Sequence, residues 1–130
     1  MKALLGFALA VSIAAPAAAV GGDTSPAAYT ATGWFACDRC SRARVADGRT
    51  GPSDRACAQR CIARGEAVVF VDENAVASFR ITNPESVKGQ ESHYVRVRGT
   101  FDPTANTLEV GSFEVLKTFV PKCGRPTTKE

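Results

Sequence analysis

The sequence predicts a small, mainly β domain with one helical insertion. Five short stretches favour strands, a helical stretch follows the first of them, and a single helical turn separates the third from the fourth. This order matches a five-stranded OB-like barrel, with an open antiparallel sheet that packs the helix on one face as the alternative. With 130 residues, 45% of them hydrophobic and 22% charged, the chain fits one globular domain.

The first 19 residues are typical of a secretory signal peptide. Lys2 precedes an uncharged apolar run, Ala3 to Ala15, that is short for a membrane span, and Pro16 then interrupts any helix. The small residues at positions 17–19 favour cleavage before Val20, and a retained membrane anchor is the alternative. We therefore expect an exported protein, periplasmic or extracellular, that has no transmembrane segment once the signal is removed.

The next elements form the first half of the domain. Residues 20–28 are rich in Gly, Ser, Pro and Ala and predict a flexible lead-in to a domain that covers residues 29–116. Tyr29–Ala36 predicts the first strand, with a bulge at Gly33. Cys37–Gly51 has no apolar period and predicts a long loop.

The strongest helical stretch is Ser53–Arg64, which completes a cysteine-bearing loop and helix over residues 37–65. Pro52 precedes the helix, Ser53 suits its N-cap, and Gly65 suits its C-terminal cap.

The second half of the chain predicts two hairpins joined by a helical turn. Asn83–Lys88 forms that turn, and Gly111–Ser112 predicts a bulge in the last strand. A polar tail, residues 117–130, follows the last strand. The predicted strands are Ala67–Val71, Val76–Thr82, His93–Phe101 and Thr107–Leu116.

Several short motifs resemble a group of small exported bacterial proteins. In chain order they are Gly33-Trp34-Phe35 before a cysteine, Cys57-x3-Cys61-Ile62-x2-Gly65, Val68-Val69-Phe70-Val71 and Val95-x-Val97-x-Gly99-Thr100. Members of the group share an OB-like barrel with a cysteine-bearing helix before the second strand, so the resemblance implies that fold and no assigned activity. The Cys37-x2-Cys40 pair has one cysteine more than the group's pattern, and the tail with Cys123 is an addition.

Four of the five cysteines follow the pattern C-x2-C-x16-C-x3-C. Cys57 and Cys61 share one helix face, so each is expected to reach across to the Cys37/Cys40 segment rather than to its neighbour. Disulfides between the two segments would suit an exported chain with a small core, and each would contribute about 2–4 kcal/mol. Four cysteines allow three connectivities, and the sequence leaves them open.

Two other interpretations of these cysteines stay open. Two cysteine pairs are typical of a thiolate site for zinc or another soft metal, although the second pair has three intervening residues where the common ribbon has two. The spacing from Cys37 to Cys40 also fits a thiol–disulfide oxidoreductase, and Arg39, Arg42 and Arg44 would lower a thiol pKa. A position in a loop, away from the βαβ context of such enzymes, argues against this function.

A basic strand face is the second candidate site. Arg80, Arg96 and Arg98 are expected on the outer faces of neighbouring strands with Tyr94 among them, where they would suit an anionic glycan or a single-stranded nucleic acid. The formal net charge of +3 is small, so an ordinary solvated strand face is favoured and no nucleic-acid partner is expected.

No motif predicts catalysis. The chain has one histidine, His93, and it lacks G-x-S-x-G, H-E-x-x-H and a phosphate-binding glycine loop. We therefore expect a non-enzymatic, disulfide-stabilised binding module of the cell envelope, monomeric and without a cofactor, that binds an envelope ligand or protein. The fifth cysteine, Cys123, is expected to remain a free thiol.

Overall fold

One five-stranded sheet and two helices make up a mainly β domain. The computed structural model describes residues 25–118, so the predicted signal peptide and nearly all of the predicted tail lie outside the described residues. The strands are β1 (Ala27–Cys37), β2 (Val68–Asp72), β3 (Ala77–Ile81), β4 (Tyr94–Asp102) and β5 (Thr107–Lys117). The helices α1 (Asp38–Ala46) and α2 (Arg55–Ala63) lie between β1 and β2, and a short 3-10 helix (Pro84–Val87) lies between β3 and β4.

The five strands hydrogen-bond in a closed ring in the order β1-β2-β3-β5-β4. The long strand β1 makes closure possible because it pairs with β4 along its first part and with β2 towards its end. Every pair is antiparallel except β3–β5, which is parallel and joins only Arg80 to Thr107 and Ile81 to Leu108. The predicted mainly β sheet is confirmed, and the open-sheet alternative is wrong because each described strand has two neighbours.

Side chains that point into the ring form the core. Phe79 and Ile81 alternate with Ser78 and Arg80 along β3 and face the core, where they are 8% and 4% exposed. Burying one large apolar side chain stabilises a fold by about 1.5–3 kcal/mol, so this cluster dominates the stability of the ring. Its fully packed members are Phe35, Phe70, Phe79, Ile81, Val87, Val95, Val97, Leu108 and Val110.

The bulge predicted at Gly33 is wrong. The register of β1 with β4 runs without interruption through Gly33, and the pairing with β2 begins at Gly33 without a shift. A Cβ atom on Gly33 would lie 1.8 Å from the carbonyl oxygen of Val71, so the glycine is needed for close approach of two strands.

The bulge predicted at Gly111–Ser112 is confirmed. Arg98 pairs with Ser112 while the next residue, Gly99, pairs with Val110, so Gly111 is the extra residue on β5. Because of the extra residue, the apolar side chains before and after the bulge point to the same face of β5, towards the core.

The long loop predicted over Cys37–Gly51 is wrong, because Asp38–Ala46 forms α1. The Asp38 N–H donates to the Ala67 carbonyl oxygen at 2.9 Å, which anchors the start of this helix to the chain entering β2. Asp38 and Arg42 also form an ion pair one helical turn apart. Only Ser41 of α1 is buried, so the helix has no apolar stripe that a periodicity search detects.

Helix α2 starts slightly later than predicted. Asp54, and not Ser53, is the N-cap, and its Oδ1 accepts a hydrogen bond from the Cys57 N–H at 2.6 Å. The predicted role of Gly65 is confirmed: it has φ +98° and its N–H donates to the Ile62 carbonyl oxygen at 3.0 Å. Neither helix, nor any other within residues 25–118, has the length and apolar character required to cross a bilayer.

Candidate functional site

The four described cysteines converge where β1 ends against the two helices. Cys37 is the last residue of β1 and is fully buried, whereas Cys40, Cys57 and Cys61 are half-buried on α1 and α2. The Sγ atoms of Cys37, Cys40 and Cys61 lie within 4.8 Å of one another. The Sγ atom of Cys57 lies 4.0 Å from that of Cys40. The structure therefore brings all four cysteines of the sequence pattern together.

Local structure explains this convergence. The fully buried Ala58 lets α2 approach β1 closely, and the Asp54 cap fixes the first turn of α2. On the other side, α1 begins directly after Cys37, so Cys40 lies one turn along α1 from the end of the strand. The two cysteine pairs therefore face each other from different elements.

Helix geometry limits how these sulfurs can bond. Residues four apart on a helix have Cβ atoms about 5–6 Å apart, whereas a disulfide requires about 3.5–4.5 Å. A bond from Cys57 to Cys61 would therefore distort α2. If two disulfides form, each must join α2 to the Cys37/Cys40 segment, and the observed sulfur contacts favour Cys40 with Cys57 and Cys37 with Cys61.

The protonation of Cys40 depends on its sulfur neighbours. In the all-thiol state the pKa of Cys40 is raised from 9.0 to about 12. The largest cause is the hydrogen bond with Cys37, followed by burial and by the neighbouring Cys57. The neighbouring arginines do not outweigh these effects at Cys40. A thiol that remains protonated at neutral pH is a poor nucleophile.

The position of the C-x2-C pair differs from the sequence expectation. It lies at a strand-to-helix junction with Cys37 at the N-cap of α1, so the loop argument against thiol–disulfide exchange no longer holds. Two other observations still oppose that chemistry. Cys37 has no exposed surface, and the more accessible Cys40 has a raised pKa. Reactive cysteines are usually accessible and have a lowered pKa.

The predicted arginine face is divided in the structure. Arg80 lies on β3, while Arg96 and Arg98 lie on β4, and β5 separates these two strands in the ring. The expectation that β3 and β4 are neighbours is wrong, because the parallel β3–β5 pair cannot be inferred from strand order along the chain.

Two of the predicted ligand residues already interact with other residues of the chain. Tyr94 donates its hydroxyl hydrogen to Glu73 and packs on Trp34 with ring centroids 5.1 Å apart. Arg96 forms an ion pair with Glu114 at 3.1 Å. Arg80 and Arg98 remain; Arg80 lines a cleft of about 390 Å³, whereas the cleft that Arg98 lines measures about 140 Å³ and also contains the Arg96–Glu114 ion pair.

Arg80 lies in an open polar cleft of about 390 Å³ on the β2–β3 side of the ring. One wall is α1, through Asp38 and Arg42, and the opposite wall is the β4–β5 turn, through Asn106. Both arginine side chains belong to exposed residues. Sequence reasoning missed Asp38, Arg42 and Asn106 as cleft residues. The four-residue spacing of Asp38 and Arg42 was the available signal for α1, but nothing in the sequence places Asn106 opposite them.

The protein-family models, curated proteins and solved structures compared with this chain contain no match to it. Its function is therefore inferred from the site geometry.

Proposed function

We propose that this chain is an exported, non-enzymatic binding module with an OB-like barrel, in which two disulfides fasten the helical segment to the barrel. The convergence of four cysteine sulfurs from β1, α1 and α2 carries the proposal. Export follows from the signal-like N-terminus, and an oxidising compartment favours disulfides over free thiols.

Three features support the OB-like assignment. The ring has the order β1-β2-β3-β5-β4, a short 3-10 helix connects β3 to β4, and the largest insertion lies between β1 and β2. In OB folds the β2–β3 face, together with the β1–β2 and β4–β5 loops, binds extended ligands. The cleft around Arg80 combines these three elements.

The proposed disulfides join Cys40 to Cys57 and Cys37 to Cys61. Shortening the 4.0 Å Cys40–Cys57 contact to a bond of about 2 Å needs a shift of about 2 Å shared between two side chains. Each bond closes a loop between β1 and β2 and stabilises the fold by about 2–4 kcal/mol. The fixed helical segment then forms a stable wall for the cleft.

The ligand proposed for the cleft is an anionic glycan of the cell envelope. Arg80 and Arg42 supply guanidinium groups for carboxylate or sulfate oxygens, and Asn106 adds an amide. Asp38 holds Arg42 in place and reduces the local positive charge. We therefore expect weak binding that salt reduces.

Mass spectrometry of the protein prepared from its native compartment tests the disulfides. We expect at most one free thiol and peptide pairs that link Cys40 with Cys57 and Cys37 with Cys61. Four free thiols in residues 37–61 would overturn the disulfide part of the proposal. A Cys37–Cys40 bond would contradict the connectivity and would reopen the oxidoreductase interpretation.

A thiolate metal site is the second candidate function. The three sulfurs within 4.8 Å of one another favour it, because four thiolates around zinc at about 2.3 Å lie about 3.8 Å apart. Elemental analysis together with a thiol count separates the two candidates. Bound zinc or copper with four protectable thiols would support the metal site and contradict the disulfides.

Binding to polygalacturonate, an acidic polysaccharide, tests the cleft. We expect Arg80→Gln to weaken binding several-fold, whereas Arg98→Gln, which changes an exposed arginine outside this cleft, should leave binding unchanged. Equal losses in both variants would indicate nonspecific charge attraction, and no binding by the unsubstituted protein would contradict the proposed ligand class.

A further inference from the structure

An open groove of about 530 Å³ lies between α2 and the 3-10 helix. We call it the α2 groove. Its apolar wall comes from Ile62, Ala63, Val68, Pro84 and Val87, and its polar residues are Gln59, Glu85, Lys88, Gly89 and Glu91. Ala63 and Pro84 are exposed, so the described residues leave much of this apolar wall uncovered. An apolar recess of this size is costly to leave in contact with water.

One buried acidic side chain lies at the wall of the groove. Glu91 is only 7% exposed, and its Oε2 has no hydrogen-bond partner among the described residues. Its Oε1 is reached only at 3.4 Å, by the Gly89 N–H. A buried carboxylate oxygen without a donor is costly, which points to a donor outside residues 25–118.

The last strand delivers the chain to this end of the ring. Lys117, the end of β5, pairs with Tyr94, and Glu91 lies three residues before Tyr94. Three residues span at most about 10 Å, so the groove wall lies close to the point where β5 ends. The six residues from Thr118 to Cys123 reach at most roughly 20 Å, which is enough to cross the groove.

The residues that follow β5 have the chemistry that the groove requires. Phe119, Val120 and Pro121 are consecutive apolar residues in an otherwise polar tail, and Lys122 comes next. Pro121 cannot extend the strand ladder, because it has no backbone N–H. The Lys122 ammonium is a hydrogen-bond donor of opposite charge to Glu91 and Glu85.

We propose that residues 119–122 dock in the α2 groove of the same chain. The side chains of Phe119 and Val120 cover the apolar wall, and Lys122 supplies the donor for the Glu91 carboxylate. Docking would fill the space between α2 and the 3-10 helix. It does not depend on the oxidation state of the cysteines or on the proposed ligand.

Hydrogen exchange of the exported protein, with its C-terminal tail intact, tests this docking. In the double variant Phe119→Ala/Val120→Ala we expect the amides of Ile62, Val87 and Gly89 to exchange about tenfold faster than in the unsubstituted protein. Thr127→Ala/Thr128→Ala, a double alanine substitution further along the tail, should leave these rates unchanged. Unchanged rates in the first variant, or equal acceleration in both, would overturn the proposal.

A variant on the groove side gives an independent measurement. Ala63 is exposed on α2, so Ala63→Trp should fill the groove without disturbing the ring. We expect faster exchange at Phe119 and Val120 in this variant, and slow exchange there would contradict docking. The tail of a second copy is the other possible occupant, and sedimentation tests for it. If the unsubstituted protein is a dimer and Phe119→Ala/Val120→Ala converts it to a monomer, the tail of a second copy lies in the groove and the intrachain proposal is overturned.

Discussion

Asn83 forms two hydrogen bonds with the backbone of Val110. Its Nδ2 donates to the Val110 carbonyl oxygen at 2.7 Å, and its Oδ1 accepts from the Val110 N–H at 2.9 Å. The amide side chain thus takes the place of a strand residue at the parallel β3–β5 junction. Together with the Thr82 N–H, which donates to the Leu108 carbonyl oxygen at 3.0 Å, it lengthens the shortest contact in the ring.

Replacing Asn83 with Ala should destabilise the protein by about 1–3 kcal/mol, because it leaves two backbone groups of Val110 without partners in a half-buried position. Urea denaturation measures the change. Asn74→Ala is the control, since Asn74 is exposed in the β2–β3 turn and is expected to change stability by less than about 0.5 kcal/mol. Equal effects of the two substitutions would show that the Asn83 side chain does not hold the junction.

The turns after β2 and β4 have the same construction. Asp72 Oδ1 accepts the N–H groups of Asn74 and Ala75 at 2.8 and 2.9 Å. Asp102 Oδ1 accepts the N–H groups of Thr104 and Ala105 at 2.9 and 3.2 Å. Each turn ends with a residue at positive φ, +50° at Val76 and +54° at Asn106. Asparagine tolerates this conformation, whereas a β-branched residue is strained there.

Val76→Asn should therefore stabilise the protein by about 1 kcal/mol. The side chain of Val76 is 40% exposed, so little apolar contact is lost. The reciprocal substitution, Asn106→Val, should destabilise, through the same strain and through loss of a hydrogen bond to the Ser78 carbonyl oxygen. Thermal unfolding of the two variants measures both effects, and a destabilising Val76→Asn would show that the valine makes contacts that outweigh its strain.

Paired cysteine substitutions separate the possible connectivities by stability. Cys40→Ser/Cys57→Ser removes one proposed disulfide and should cost about 2–4 kcal/mol. Cys40→Ser/Cys61→Ser removes one partner from each bond, so both bonds are lost and the cost should be larger. Guanidinium denaturation of the oxidised proteins compares them. The opposite ranking would indicate Cys40–Cys61 and Cys37–Cys57 bonds.

The raised pKa of Cys40 predicts the pH dependence of the fully reduced protein. The folded pKa of about 12 lies above the ordinary value of 9.0, so protonation of Cys40 favours the folded state below pH 9 and this contribution is lost as the pH rises towards 12. Alkylation of Cys40 by iodoacetamide at pH 8 should be much slower in the folded protein than in denaturant.

The cause of that shift can be tested directly. Cys37 has the largest effect on Cys40, so Cys37→Ser should speed Cys40 alkylation, whereas Cys61→Ser, which changes a residue that does not contribute to the shift, serves as the control. Equal rates in the two variants would show that Cys37 is not what slows the reaction.

Strand positions could be predicted because their alternation is strong. The inward set that includes Phe79 and Ile81 follows directly from period-two patterning. Helix α1 could not be predicted, because its arginine-rich sequence has no apolar face and its start depends on a hydrogen bond from Asp38 to the distant Ala67. Gly33 was misjudged for a related reason, since only the neighbouring strand shows that the space for a Cβ is taken by Val71.

The sequence predicts the cysteine site better than the arginine site. The cysteines are close in the sequence, and helix spacing alone places Cys57 and Cys61 on one face, so their meeting with the Cys37/Cys40 segment was foreseeable. The arginines belong to strands whose order in the ring depends on a parallel contact between distant segments. That contact cannot be inferred from local patterns, and it separates Arg80 from Arg96 and Arg98.

The parallel β3–β5 contact also has a consequence for the order of folding. The β2–β3 and β4–β5 pairs are hairpins with short turns, which form from neighbouring residues on a microsecond scale. A parallel pair cannot be made by a hairpin, and its partners here, Arg80 and Thr107, are separated by the whole of β4. This contact should therefore form after the two hairpins, and a chain that stalls before it would expose the edges of β3 and β5 to pairing with other molecules.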